Sequence, residues 1–276
     1  MRVTFATEPA RPDRPNEDFV GATPDAVVLL DGAGEPAGLE SGCSHSVAWY
    51  SRTLGSALLA ELTQSSAPLT EVLAAGIKQV ASLHEGTCNL LHAGSPSATV
   101  VMLRRTSEAL EWLVLADSVL VLDVGTAEPM VICDDRLDRV AAPHRARLEG
   151  LPYGSPEYLQ ARREYITTLR AYRNRDGGFW VAAVDPLAGE HALTGSVPVD
   201  TVRAVAVLSD GASRLVDRFG RSTWRQLLDV LEQGGAAELI RRTRTAERSD
   251  PQGERWPRGK IFDDATAVYC TLSSTA

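Results

Sequence analysis

The chain lacks any apolar stretch approaching the roughly 20 residues needed to cross a bilayer. Its opening, MRVTFATEPARPDRPNEDF, has no apolar segment of the kind a secretory leader carries. No membrane partner is therefore expected. Positive charge is in deficit: 28 Lys and Arg stand against 36 Asp and Glu, a net of −8. Such a balance leaves no electrostatic footprint for nucleic acid, although Arg241, Arg242 and Arg244 form a local basic group. Cysteine is scarce. Cys43, Cys88, Cys133 and Cys270 lie far apart with no CxxC pair, which predicts reduced, mostly buried thiols and a cytoplasmic location. None has the Gly-rich loop and nearby His of a nucleophilic Cys. Repeats, low-complexity tracts and clear linkers are missing too. With 276 residues, 44% of them hydrophobic, the expectation is one domain spanning 1–276.

What is present centres on Ala26 to Gly34, AVVLLDGAG. An apolar run that stops abruptly at Asp31 and a glycine turn reads as a strand buried on both faces. An ionised carboxylate there is costly unless positive charge sits on it. The pattern returns at Arg203 to Ser213 (RAVAVLSDGAS), where an apolar strand runs into Asp210-Gly211, and at Asp263-Asp264, which open DDATAVYCTL. Asn16-Glu17-Asp18 follows the first strand, expected over Val3 to Thr7. Each Asp-Gly alone is also the default turn pair. Carboxylates that repeatedly end buried runs, with few basic neighbours, suggest an oxygen-only site for Mg²⁺ or Mn²⁺.

Between these points, Val47 to Leu62 and Leu69 to Leu83 show helical spacing of apolar residues. Ser97 to Arg104, Leu110 to Leu115, Val119 to Val124 and Met130 to Cys133 read as consecutive strands, with Ala116-Asp117-Ser118 as a hairpin turn. Strand after strand without helices points to antiparallel sheet. A helix is predicted from Pro156 to Tyr172, with Ser155 as cap and Pro156 at the first helical position. Gly178 to Val184 reads as a strand and Asp185 to Asp200 as a loop. Trp224 to Leu231 and Ala236 to Thr243 read as two helices.

The ordered set NED, strand-DGAG, LVLADSVLVL, strand-SDGAS and DDAT-strand resembles the metal-dependent protein phosphatases of the PPM, or type 2C, family, in a bacterial single-domain form. That family carries an ED motif, a DG turn, a G-D-S-R turn, an S-D-G turn and a terminal D-[ND]-x-T strand. The resemblance implies an α+β fold, a four-layer α-β-β-α sandwich with two central antiparallel sheets flanked by helix pairs. It implies two Mn²⁺ or Mg²⁺ ions and hydrolysis of phosphoserine and phosphothreonine in proteins. The attack would come directly from a water bridging the two metals. Carried over by position, Asp31 would bridge both metals, Gly32 would add its carbonyl, and Asp210 and Asp263 would ligate the other metal. Glu17 and Asp18 would hold metal-bound waters, and Arg14 would bind the substrate phosphate. Asp117, kept from G-D-S-R, would be the ligand of a weaker third metal. Arg214, where the family often has a further Asp, works against that third ion.

Asp264 is expected as a local hydrogen-bonding partner, and Thr266 to pack. The turn DGAGE lacks the His that some relatives carry after DG; His45 is the candidate substitute, a structural role being the commoner one for a lone His. Asp134 to Asp185 corresponds to the family's flap beside the active site. It is rich in arginine: Arg136, Arg139, Arg145, Arg147, Arg162, Arg163, Arg170, Arg173 and Arg175. The bland expectation is a solvated face paired with Glu149, Glu157 and Glu164, with Tyr153 and Trp180 packing. The other is that one or two reach a phosphorylated substrate. An atypical flap leaves a small phosphorylated metabolite open as the substrate. A catalytically silent binding module of the same fold is the remaining alternative.

Overall fold

The computed structural model describes residues 1–34, 40–148 and 150–272. Glu149, one expected partner of the flap arginines, and residues 35–39 of the Gly- and Ser-rich connector lie outside them.

The run AVVLL forms strand β3 (Ala26–Leu30), with all five side chains buried. Alternate side chains leave a strand on opposite faces. Val27 and Leu29 enter the layer between two sheets, while Val28 and Leu30 meet helices. Cover on both faces explains why the run is apolar without alternation. The sheet holding β3 has the order β10-β7-β6-β3-β2, with β2 at Phe19–Ala22, β6 at Val100–Arg105, β7 at Ala109–Leu115 and β10 at Leu193–Pro198. The second sheet has the order β1-β12-β11-β8-β9, with β1 at Arg2–Glu8, β8 at Val119–Asp123, β9 at Met130–Ile132, β11 at Ala204–Leu208 and β12 at Ala265–Thr271. A short ladder pairs β4 (Gly32–Ala33) with β5 (Ser97–Ala98). Every ladder among the described residues is antiparallel.

Between the sheets, Val27, Leu29, Val101 and Leu103 pack with Leu120, Val205, Val207 and Val268. Outside the first sheet, α1 (Val47–Gln64) and α2 (Leu69–His84) press Leu54, Leu58, Leu73 and Ile77 onto Val28, Leu30 and Met102. Outside the second, α5 (Asp210–Asp217) and α6 (Trp224–Arg248) cover Val121, Ala206 and Ala267 with Leu215, Leu227 and Leu239. The result is the expected α-β-β-α sandwich. Burying each such Leu contributes about 1.5–3 kcal/mol, so the three apolar layers dominate its stability. The two expected C-terminal helices are joined in α6 across a kink at Gly235, whose φ of 76° only glycine adopts readily.

Four local expectations need correction. Ala116-Asp117-Ser118 is not a hairpin turn: β7 pairs with β6 and β10, whereas β8 pairs with β11 and β9 in the other sheet. Ala116, at φ 67°, turns the chain across from one sheet to the other. Runs that are apolar on both faces, LVL and VLVL, suit two covered sheets better than a hairpin with one wet side. Gly178 to Val184 forms only isolated bridges, Arg173 to Phe179 and Ala98 to Ala182. The expected loop Asp185 to Asp200 contains edge strand β10, disguised by Gly195, Pro198 and its mostly exposed side chains. The flap holds two helices rather than one: α3 (Arg136–Arg145), which contains Pro143, precedes α4 (Pro156–Arg170). Ser155 caps α4 as expected, accepting from the Tyr158 amide.

Candidate active site

The ends of these strands meet in one place. Asp31 follows β3, Asp117 sits on the crossover from β7 to β8, Asp210 opens α5 directly after β11, and Asp263 precedes β12. With Gly32 they line a single cavity of about 610 Å³. Thr99 interrupts the strand expected from Ser97 to Arg104, and its interruption locates Asp31. The Thr99 hydroxyl accepts from the Asp31 amide at 3.2 Å, and the Thr99 amide donates to the Asp31 carbonyl at 2.9 Å. The same hydroxyl lies 2.6 Å from that of Ser118, next to Asp117. Two glycines permit the backbones to approach. A Cβ on Gly32 would lie 2.5 Å from the Glu17 carbonyl, and one on Gly211 would collide with the Asp264 carbonyl. The glycines of both DG pairs therefore serve convergence. Ser209, whose hydroxyl accepts from the Thr266 amide at 2.9 Å, clips the start of α5 to β12.

Carboxylates crowd one another where these strands end, in a cavity whose lining also carries arginines and Lys260. Burial, then Asp18, Asp210 and Asp263, raises the carboxyl of Asp31 well above its usual range. Burial, then Asp210, pushes Asp117 up to about 7. Asp18 is likewise pushed to about 7, by burial first, against the hydrogen bond from Thr266 and with Asp264 adding to the rise. Its Oδ2 accepts from the Thr266 hydroxyl at 2.7 Å. Its Oδ1 is buried with no hydrogen-bond partner among the described residues. Thr266, expected only to pack, thus positions Asp18, while its hydroxyl also lies 2.6 Å from that of Thr7. Asp264 accepts from the amides of Ala10 at 2.6 Å and Glu17 at 2.7 Å, tying the acidic N-terminal loop to β12. Glu17 is half-buried, and burial raises its carboxyl. Neither Glu17 nor Asp18 lines the cavity itself. Arg14 is exposed and does not line it either.

Asp263 differs from the other carboxylates. Lys260 Nζ lies 2.6 Å from Oδ1 and an Arg214 guanidinium nitrogen 2.9 Å from Oδ2. Burial opposes the charge of Lys260, but Asp263, Asp31 and Asp210 hold its ammonium protonated above the usual range. Its side chain is 48% exposed, so it reaches the cavity mouth. The sequence reading missed Lys260. Its position three residues before Asp263 is the signal that would have found it. The flap contributes Arg145, Arg162, Arg170 and Arg173 to the lining. Among the described residues its ion pairs run to Asp134, Asp135 and Asp138, not to Glu157 or Glu164. Arg147, Arg163 and Arg175 are exposed. Trp180 packs, stacked at 3.7 Å on His191, while Tyr153 is 41% exposed. His45 lies away from the cavity.

The oxygen-only donor set fits hard divalent cations, with an orphaned buried carboxylate oxygen of Asp18 beside it, although Lys260 and Arg214 already occupy Asp263. Asp31, the Gly32 carbonyl, Asp117 and Asp210 are the residues that would hold them. Asp263 would share its remaining lone pairs.

No family model matches the chain, and no curated protein matches it. Solved structures do. The catalytic domain of serine threonine protein phosphatase PstP in complex with 2 manganese ions is 18% identical with a TM-score of 0.58, over 99% of this chain and 98% of that one. Serine/threonine phosphatase Stp1 from Staphylococcus aureus is 12% identical with a TM-score of 0.60, over 99% and 95%. The PPM Ser-Thr phosphatase MsPP from Mycobacterium smegmatis in complex with cacodylate is 16% identical with a TM-score of 0.57, over 99% and 99%. The likeness runs the length of the chain and is a likeness of fold.

Proposed function

We propose that this chain, which has the fold of the PPM phosphatases, is a metal-dependent phosphomonoester hydrolase acting on phosphoserine and phosphothreonine in proteins. The observation that carries the reading is the convergence of Asp31, Asp117, Asp210 and Asp263 on one cavity, with Asp18 beside them and, among the described residues, no ion pair on Asp31, Asp117 or Asp210. Two Mn²⁺ or Mg²⁺ ions bound there would acidify a water and offset the charge that builds on the phosphoryl oxygens. Asp31 and the Gly32 carbonyl would bridge and ligate, and Asp210 and Asp263 would complete the set. Asp18, held by Thr266, and Glu17 would orient water at its edge. Asp117 would serve a third, weaker ion. Phosphate clamping falls more naturally to Lys260 and the cavity-lining arginines of the flap than to Arg14, which is exposed outside the lining. We read residues 1–276 as one such domain acting in the cytoplasm.

A second reading has its own support. Arg145, Arg162 and Arg173 of the flap line the cavity, and a concentration of guanidinium groups around one enclosed phosphate suits a small phosphorylated metabolite. Among the described residues no helix is long and apolar enough to cross a membrane.

Hydrolysis of p-nitrophenyl phosphate with Mn²⁺, and its loss with EDTA, tests the reaction. Phosphopeptides run against sugar and nucleoside phosphates then separate the two substrate classes. No turnover with metal supplied would overturn both and leave the silent module.

A further inference from the structure

Away from the cavity, four soft-ligand side chains converge where α1 begins and α2 ends. Cys43 and His45 lie in the loop leading into α1, His84 closes α2 and Cys88 follows it. Cys43 Sγ lies 3.7 Å from His45 Nδ1, 3.5 Å from His84 Nδ1 and 3.2 Å from Cys88 Sγ. Cys88 Sγ lies 3.4 Å from His45 Nδ1. All four ligand atoms fall within 4.8 Å of one another. We propose that Cys43, His45, His84 and Cys88 hold a structural Zn²⁺, each imidazole ligating through Nδ1.

A tetrahedral zinc with Zn–S near 2.3 Å and Zn–N near 2.0–2.1 Å spans S···N edges of roughly 3.5 Å and an S···S edge of roughly 3.8 Å. The sulfur–nitrogen distances of 3.4, 3.5 and 3.7 Å already have that size. The sulfur–sulfur separation of 3.2 Å is far longer than the ~2.05 Å of a disulfide and needs only a small opening to admit the ion. Backbone amides support both sulfurs, Ser44 donating to Cys88 at 3.3 Å and His45 to Cys43 at 3.4 Å. Such bonds orient thiolates around a metal.

Trp49 closes the site, its ring centroid 4.0 Å from that of His45 and 5.1 Å from that of His84. Two thiolates and two neutral imidazoles balance one Zn²⁺, leaving no net charge against the apolar helices. Thiolate and imidazole select zinc, whereas the carboxylates of the cavity select harder ions, so the two sites would sort metals by softness. The ion would tie the loop before α1 to both helices, at a place where, among the described residues, no regular ladder does so.

Metal analysis of the full chain tests this apart from any turnover. Purified protein, and the Asp31→Asn variant, should each retain one equivalent of zinc after dialysis, and Cys43→Ser and Cys88→Ser should fall to background. Cobalt(II) exchanged into the full chain should give near-ultraviolet thiolate-to-metal charge transfer together with intense visible bands of tetrahedral geometry. That spectrum decides the matter alone if the cysteine variants fail to fold. Absence of the charge-transfer band, zinc persisting in both cysteine variants, or Cys43 recovered in a disulfide with Cys88 would each overturn the proposal.

Discussion

Behind β12, between α5 and α6, Glu247 is fully buried and accepts from Arg214 at 2.7 Å and Arg244 at 2.8 Å. Nearby, Asp250 accepts from Arg258 at 2.7 Å and from three backbone amides, those of Glu254, Arg255 and Trp256. On the other side of the same strand's N-terminal end lie Asp18, Asp31, Asp117 and Asp210, and the charge of Asp210 adds to the rise at each of the other three carboxyls. Both regions bury carboxylates, and the cost of desolvating each is several kcal/mol unless it is matched. One region matches them from within the chain. In the other, no ion pair among the described residues reaches Asp18, Asp31, Asp117 or Asp210. Buried charge alone does not separate the two regions; a charged side-chain partner does. Asp263 stands between the two, gripped by Arg214 from the matched side and Lys260 from the cavity.

The sharpest way to break this contrast is to remove a carboxylate from the unmatched side. Asp31→Asn or Asp210→Asn should lower Mn²⁺-dependent turnover by about 10³-fold or more. Metal-free thermal stability should hold or rise, because repulsion is relieved. Turnover retained in both variants would end the distinction. On the matched side the effect should be on folding: Glu247→Gln removes the buried charge that Arg214 and Arg244 share and should cost about 3–5 kcal/mol in denaturant unfolding.

Asp250→Asn is next, at about 3 kcal/mol at neutral pH, and its pH dependence is informative. Burial works against ionised Asp250, but Arg258 and the amides win and hold its carboxyl below the usual range. A depressed folded value stabilises above the unfolded pKa of about 3.9 and is lost as pH falls through the folded one. The gap between variant and wild type should therefore be full at pH 7 and close below about pH 4. A gap independent of pH would mean that shape, not charge, is what Asp250 supplies. The smallest expected effect is at the boundary. Lys260→Met frees Oδ1 of Asp263, and Mn²⁺ affinity followed by titration should tighten by several-fold, about 1 kcal/mol. Weaker binding would place Asp263 wholly with the matched network.

Part of this was legible without coordinates. AVVLL before Asp31 and AVAVL before Ser209 and Asp210 are apolar on both faces, and only strands covered twice have that composition. The spacing of Leu54, Leu58 and Leu62 sufficed for α1. Ser155-Pro156 marked the start of α4 to the residue. What escaped lay where pairing is non-local. Nothing around Ala116 says whether β8 returns beside β7 or crosses to the other sheet, and Gly195 concealed the edge strand that takes β7's free side. The lone thiols suffered likewise: expected buried and apart, Cys43 and Cys88 are both half-buried and lie 3.2 Å from one another across 45 residues.

By itself the sequence determined the doubly covered strands, α1, α2, the start of α4 and the acidic strand ends, because side-chain periodicity and turn chemistry act over a few residues. Which carboxylates meet, which are answered by Arg214, Arg244 and Arg258, and which stay unanswered was decided only by the tertiary structure. Coulombic balance depends on distance in space, and the order of residues along a chain does not contain it.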